Sequence, residues 1–158
     1  MTDIVLTPVA GLTRGTPTEI STNRIAELPA VRRYIEAIDF TALKHRLVQK
    51  RDILGSEWSP ARAVHAERCY KNWLYLRRRH ESEMLPGPVD IEHFWHGHIL
   101  DTRAYFEHCD RIFGYYLHHF PYFGGRGRLD RSELAAAWRR TQARYHAEFG
   151  EHLHDFRE

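Results

Sequence analysis

Residues 89–117 read VDIEHFWHGHILDTRAYFEHCDRIFGYYL, and their pattern decides the fold class. Apolar and aromatic residues recur at steps of three and four, and no period-two alternation runs through them. The stretch is predicted as a helix starting near Val89-Asp90 and running to about Leu117. Asp90 places an acid at the positive end of its dipole. The segment is apolar or aromatic almost all round, as expected of a central helix contacted on several sides. Pro121 and Gly124-Gly125 then end it in a loop.

Working outward, Ser59-Pro60 is a helix start, with Ser as N-cap and Pro at the first helical position. That helix is predicted to run to about His80, burying Ala63, Ala66, Tyr70, Trp73 and Leu74. Before it, Val31, Ile35 and Ile38 form one short stripe. Phe40, Leu43, Leu47 and Leu54 continue it after a phase shift near Asp39, and Gly55 closes the segment. The last helix is predicted to start with Asp130 as N-cap, Glu133 as its return partner, and Leu129 with Leu134 as a hydrophobic staple. Leu134, Trp138, Thr141, Tyr145 and Phe149 make its apolar face, and Gly150 ends it. No β-alternation of useful length appears. The expected fold is all-α, a single-domain bundle of four or five helices. Residues 1–28 form an irregular N-terminal lead-in, and 29–158 the helical domain.

At 158 residues with 42% hydrophobic content, the chain is large enough to bury a core. Its 23 Lys and Arg against 21 Asp and Glu leave a formal charge of +2, which supplies no general attraction to nucleic acid. The basic runs Arg77-Arg78-Arg79 and Arg139-Arg140 have Glu81, Glu83 and Glu133 close by and read as solvated helix faces. Neither a membrane span nor a secretory leader is visible, so no membrane partner is expected. The expected location is cytoplasmic, with Cys69 and Cys109 as reduced, buried thiols.

Residues 93–122 hold six of the twelve histidines, interleaved with aromatics. A buried imidazole needs a hydrogen bond, a carboxylate or a metal. Residues two apart on a helix face nearly opposite ways, so His96 and His98 cannot chelate one ion together. His98, Asp101 or Thr102, Tyr105 and Cys109 share one stripe, while His93, His96, Leu100 and Arg103 share another. His118 and His119, at or beyond the helix end, are the donors that would complete either set. Imidazoles with a carboxylate suit zinc, iron or copper, and fewer than four protein ligands leave a position open. The opposing reading makes His98 a hydrogen-bonded core residue. His108, His146, His152 and His154 read as surface residues, whereas Trp95, Phe106, Phe113 and Tyr116 read as core. Any histidine held neutral in the core should weaken the fold below about pH 6.

With these residues in view, the chain resembles the glycine-rich domain-containing protein-like family in its short bacterial form. The resemblance rests on Pro88 through Tyr105, Cys109-Asp110, Phe113-Gly114 and the run from His118 to Gly124. Ala66 through Trp73, Tyr145 and Phe149-Gly150 match in character, so it spans about residues 31–153. The family pattern of Trp-His-x-His, then an acid or polar residue, then Tyr falls on Trp95, His96, His98, Asp101 and Tyr105. The chain departs from it in having no glycine-rich tail. The resemblance implies a helical fold and no settled reaction.

Two functions are expected from this reading. One is a metal-dependent oxidoreductase or tailoring enzyme acting on a small molecule or peptide. Its metal ligands would come from His96, His98, His118 and His119, with Asp101 as ligand or orienter and Tyr105 as proton donor. Haem held by one histidine is a lesser variant. The alternative is a non-catalytic protein-interaction module whose histidines and aromatics organise its core.

Overall fold

A computed structural model describes residues 19–49, 57–125 and 127–157. Among them are six helices and no strand: α1 (Leu28–Ala37), α2 (Thr41–Val48), α3 (Pro60–Arg79), α4 (Val89–Leu100), α5 (Thr102–Ile112) and α6 (Arg128–Phe149). The all-α expectation holds, with more helices than expected because two predicted segments break. The first breaks at Ile38–Phe40, where the Asp39 carboxylate accepts the Thr41 amide at 2.8 Å. Leu54 and Gly55, expected to finish that segment, lie outside the described residues, as do residues 1–18 of the lead-in.

The second break divides the stretch predicted as one helix. At Asp101 the backbone leaves helical geometry (φ −82°, ψ 73°), and the side chain accepts from the Ala104 amide at 3.4 Å. A short acidic side chain offers the backbone a local alternative to the helical ladder. The chain therefore turns, and α5 packs back on α4. The hub is α3 instead, which contacts α1, α2, α4 and α6. Its start is as predicted, with the Ser59 hydroxyl accepting from the Arg62 amide and Pro60 leading the helix. Ala63, Ala66, Tyr70, Trp73 and Leu74 are all buried, and Trp73 donates its indole N–H to the Leu85 carbonyl at 2.8 Å.

Three expected placements change, those of Arg78, Phe106 and the Asp130 cap with its Leu129 staple. Arg78 is buried, donating to the Ile112 carbonyl at 2.8 Å and to Glu81 at 2.7 Å. Arg24 of the lead-in pairs with the same Glu81 at 2.7 Å, and the Ser21 amide donates to the Gly114 carbonyl, so residues 21–25 wrap the domain. Phe106, expected in the core, is 63% exposed because α5 buries the face through Tyr105, Cys109 and Ile112, about 100° round the helix from it. At α6, Asp130 lies inside the first turn and accepts from the Gly124 amide at 2.6 Å. Its carboxylate thus holds the preceding loop, and Leu129, 82% exposed, forms no staple. Gly150 does end α6, in the left-handed conformation (φ 72°).

Asp90 does more than complement a dipole. One buried carboxylate oxygen accepts from Arg62 at 2.6 Å, and the other accepts from the Phe156 amide at 2.7 Å. It thereby ties α3, α4 and the C-terminal segment together. Asp90→Ala leaves a part-exposed guanidinium and a part-buried amide without their acceptor and should cost about 2–3 kcal/mol in a denaturant titration. A loss below about 0.5 kcal/mol, the level of an ordinary surface change, would remove this role.

Candidate metal centre

Helix α4 carries two of the three groups that converge. Glu92 and His96 stand four residues apart and so share a face. The third, His119, comes from the segment after α5. Nε2 of His119 lies 2.7 Å from Oε2 of Glu92 and 3.0 Å from Nε2 of His96, and the remaining edge is 3.9 Å. Among the described residues these three form the one His/Cys/Asp/Glu group with metal-ligand geometry. An ion with bonds of about 2.1 Å sets tetrahedral ligand atoms about 3.4 Å apart, a spacing these edges bracket. Proton accounting points the same way. A single Nε2 proton on His119 cannot serve both Glu92 and His96, whereas a cation between the three atoms satisfies every lone pair. Burial, and then the His119 ring, draw the pKa of His96 below the ordinary histidine value, so His96 offers a lone pair near neutrality.

The position of His119 is set by aromatic packing. Tyr105 is buried, accepts from the indole N–H of Trp95 at 2.9 Å and donates to the Leu117 carbonyl at 2.5 Å. Trp95 in turn lies against the His119 ring, 4.6 Å between centroids. A cavity of about 280 Å³ opens beside the triad, lined among others by Glu92, Trp95, His118, His119 and Arg77.

The structure divides the predicted residues. His96 and His119 meet. His118 lines the same cavity and packs on Tyr116 at 4.8 Å, outside the triad. Tyr105, expected as a proton donor to substrate, has its hydroxyl committed within the core, where burial raises its pKa far above the ordinary phenol value. Asp101 is the N-cap of α5. Glu92 escaped the sequence reading, although its four-residue spacing from His96 was the available signal.

His98 lies elsewhere, 3% exposed against Phe40 and Tyr105. The Tyr70 hydroxyl, kept protonated by burial, lies 2.9 Å from its Nδ1, and its Nε2 lies 2.8 Å from Nδ1 of His108. With one ring proton on either nitrogen, the other accepts, so each tautomer pairs both sides of the ring. Both nitrogens are satisfied without a metal. His108 is consequently half-buried and structural, which corrects its surface assignment; the surface reading does hold for His146, His152 and His154.

Residues 31–146 match the family described as UCP032817-like. The chain belongs to the UCP032817-like family. This overturns the kinship with glycine-rich domain-containing proteins expected from Trp95, His96, His98, Asp101 and Tyr105. Four of those residues serve packing, capping or internal hydrogen bonds that many helical domains need, so their spacing is a weak family marker. The UCP032817-like family is an uncharacterised one, and no curated protein and no solved structure matches the chain. Among the described residues of this UCP032817-like protein, no helix is long and apolar enough to cross a membrane. Cys69 and Cys109 are buried and unlinked, and burial raises the pKa of both thiols.

The neutral His98 carries a pH signature. Burial, and then the neighbouring His108, hold its pKa at about 3, against 6.5 for the free side chain. Below pH 6.5 the unfolded chain takes up a proton that the native state refuses, so stability falls with pH down to about 3. The slope from this residue approaches about 1.4 kcal/mol per pH unit below pH 6.5, and integrates to roughly 2.3 kcal/mol between pH 6.5 and 4.5. Denaturant titrations across that window should show a gradient shallower by about one proton in His98→Gln than in the wild type. Equal gradients would mean that His98 is protonated in the fold.

Proposed function

We propose that the protein is a metal-dependent enzyme acting on a small molecule, with Glu92, His96 and His119 holding a divalent transition metal. The single observation that carries this reading is the convergence of three lone-pair atoms at the edge of a cavity. Two imidazoles and one carboxylate form the donor set of catalytic zinc sites and of non-haem iron oxygenases. Such a set leaves coordination positions open, and the adjoining cavity gives a substrate access to them. A bound ion of this kind supplies Lewis acidity or, if iron, redox chemistry. Trp95 and the Tyr105–Leu117 hydrogen bond keep His119 in place. An oxidoreductase or a tailoring enzyme fits this arrangement, and a cavity of 280 Å³ favours small molecules over peptides.

The non-catalytic alternative draws on a different observation, the exposure of Phe106 and Leu129 on the outer surface. Metal content separates the two. Purified protein should carry about one equivalent of zinc or iron, and reloading the chelated protein should raise its Tm. Glu92→Ala and His119→Ala should each weaken zinc binding at least about tenfold, and His98→Gln should leave it within about threefold. Protein that binds no zinc, iron or copper, and keeps its Tm in chelator, would favour the interaction module. A Soret band would select haem.

A further inference from the structure

Arg77, from the last turn of α3, lines the same cavity as Glu92 and His119. Its Nη1 donates to the Glu83 carbonyl at 3.1 Å, and its guanidinium lies 5.7 Å from the centre of the Trp73 ring. Its Nε is buried and has no hydrogen-bond partner among the described residues. A buried donor left unpaired is costly, and more so when it belongs to a charged group. Desolvation draws the pKa of this guanidinium down, with Glu92 among the groups that partly oppose the shift. Nη1 is anchored and Nε is unpaired, and a carboxylate is the acceptor whose two oxygens match a guanidinium fork.

The rest of the lining is largely apolar, with Trp73, Leu85, Trp95, Phe120 and Phe123. At about 280 Å³ the cavity is at the small end of ligand sites. The Glu92 carboxylate in the same lining disfavours a doubly charged phosphate relative to a singly charged carboxylate. We propose that this cavity binds a small organic acid with an apolar, ring-sized body, its carboxylate meeting Arg77 and its body lying on Trp95 beside His119. The assignment names the substrate class for the metal reading above and rests on that reading for its chemistry.

Calorimetric titration of the full-length protein with benzoate and its neutral isostere benzamide tests the assignment, in chelator and again with zinc. In chelator, wild-type protein should bind benzoate at least about tenfold more tightly than benzamide. Arg77→Gln should abolish that preference, Arg77→Lys should keep part of it, and zinc affinity should stay within about threefold in both. Equal binding of the two probes by the wild type, no detectable binding at millimolar benzoate, or a preference that survives in Arg77→Gln would overturn the assignment. The wild-type comparison needs no variant, so a misfolded Arg77→Gln leaves the test intact. An Arg77-dependent preference in protein that binds no zinc would remove the metal reading and keep the acid site. Zinc binding without any preference would do the reverse.

Discussion

The hydroxyl of Tyr105 is the pivot on which the candidate site turns. It accepts from Trp95 on α4 and donates to the Leu117 carbonyl beyond α5, so one phenol joins two helices and the segment that follows them. Glu92 and His96 come together through helical spacing alone. His119 has no such guarantee, because twenty-three residues and a change of direction separate it from His96. The Tyr105 hydrogen bonds and the Trp95–His119 contact supply what spacing cannot. The break at Asp101 is the precondition, since a continuous helix would carry residues 117–119 away from α4 by about 1.5 Å per residue.

Helix α4 presents histidines on two faces with opposite physics. On one, His98 is sealed between Tyr70 and His108 with both ring nitrogens spoken for, and desolvation keeps it neutral. On the other, His96 is partly exposed and competes with a carboxylate for the same ring nitrogen of His119. The first arrangement gives order to the core and is complete as it stands. The second is left short of partners, and a cation would complete it. Arg77 repeats this logic at the far end of α3, as a buried donor without an acceptor on a wall of the same cavity. Two incomplete groups of opposite need in one small cavity are what link a metal reading to an acidic ligand.

Much of this molecule was legible in its residues taken in order. The all-α class, the Ser59-Pro60 start, the buried face of α3 and the Gly150 stop follow from periodicity and capping, which act within a few residues. The same geometry separated His96 from His98 before any coordinates. The misreadings have a common cause. Asp101 and Asp130 are both short acids near helix ends, yet Asp101 starts a new helix while Asp130 holds a loop amide. Local pattern does not distinguish these uses, because each depends on which amide the surrounding packing brings near.

Local sequence thus determined where most helices lie, which faces they bury and which histidines could never share an ion. Tertiary structure alone decided that His119 rather than His118 meets His96, that Glu92 lies against the same pair, and that Arg77 turns inward instead of facing solvent. Helical spacing specifies angles about one axis, and these outcomes depend on how separate axes cross. That crossing is set by the aromatic packing of Trp73, Trp95 and Tyr105, whose partners lie ten or more residues away along the chain.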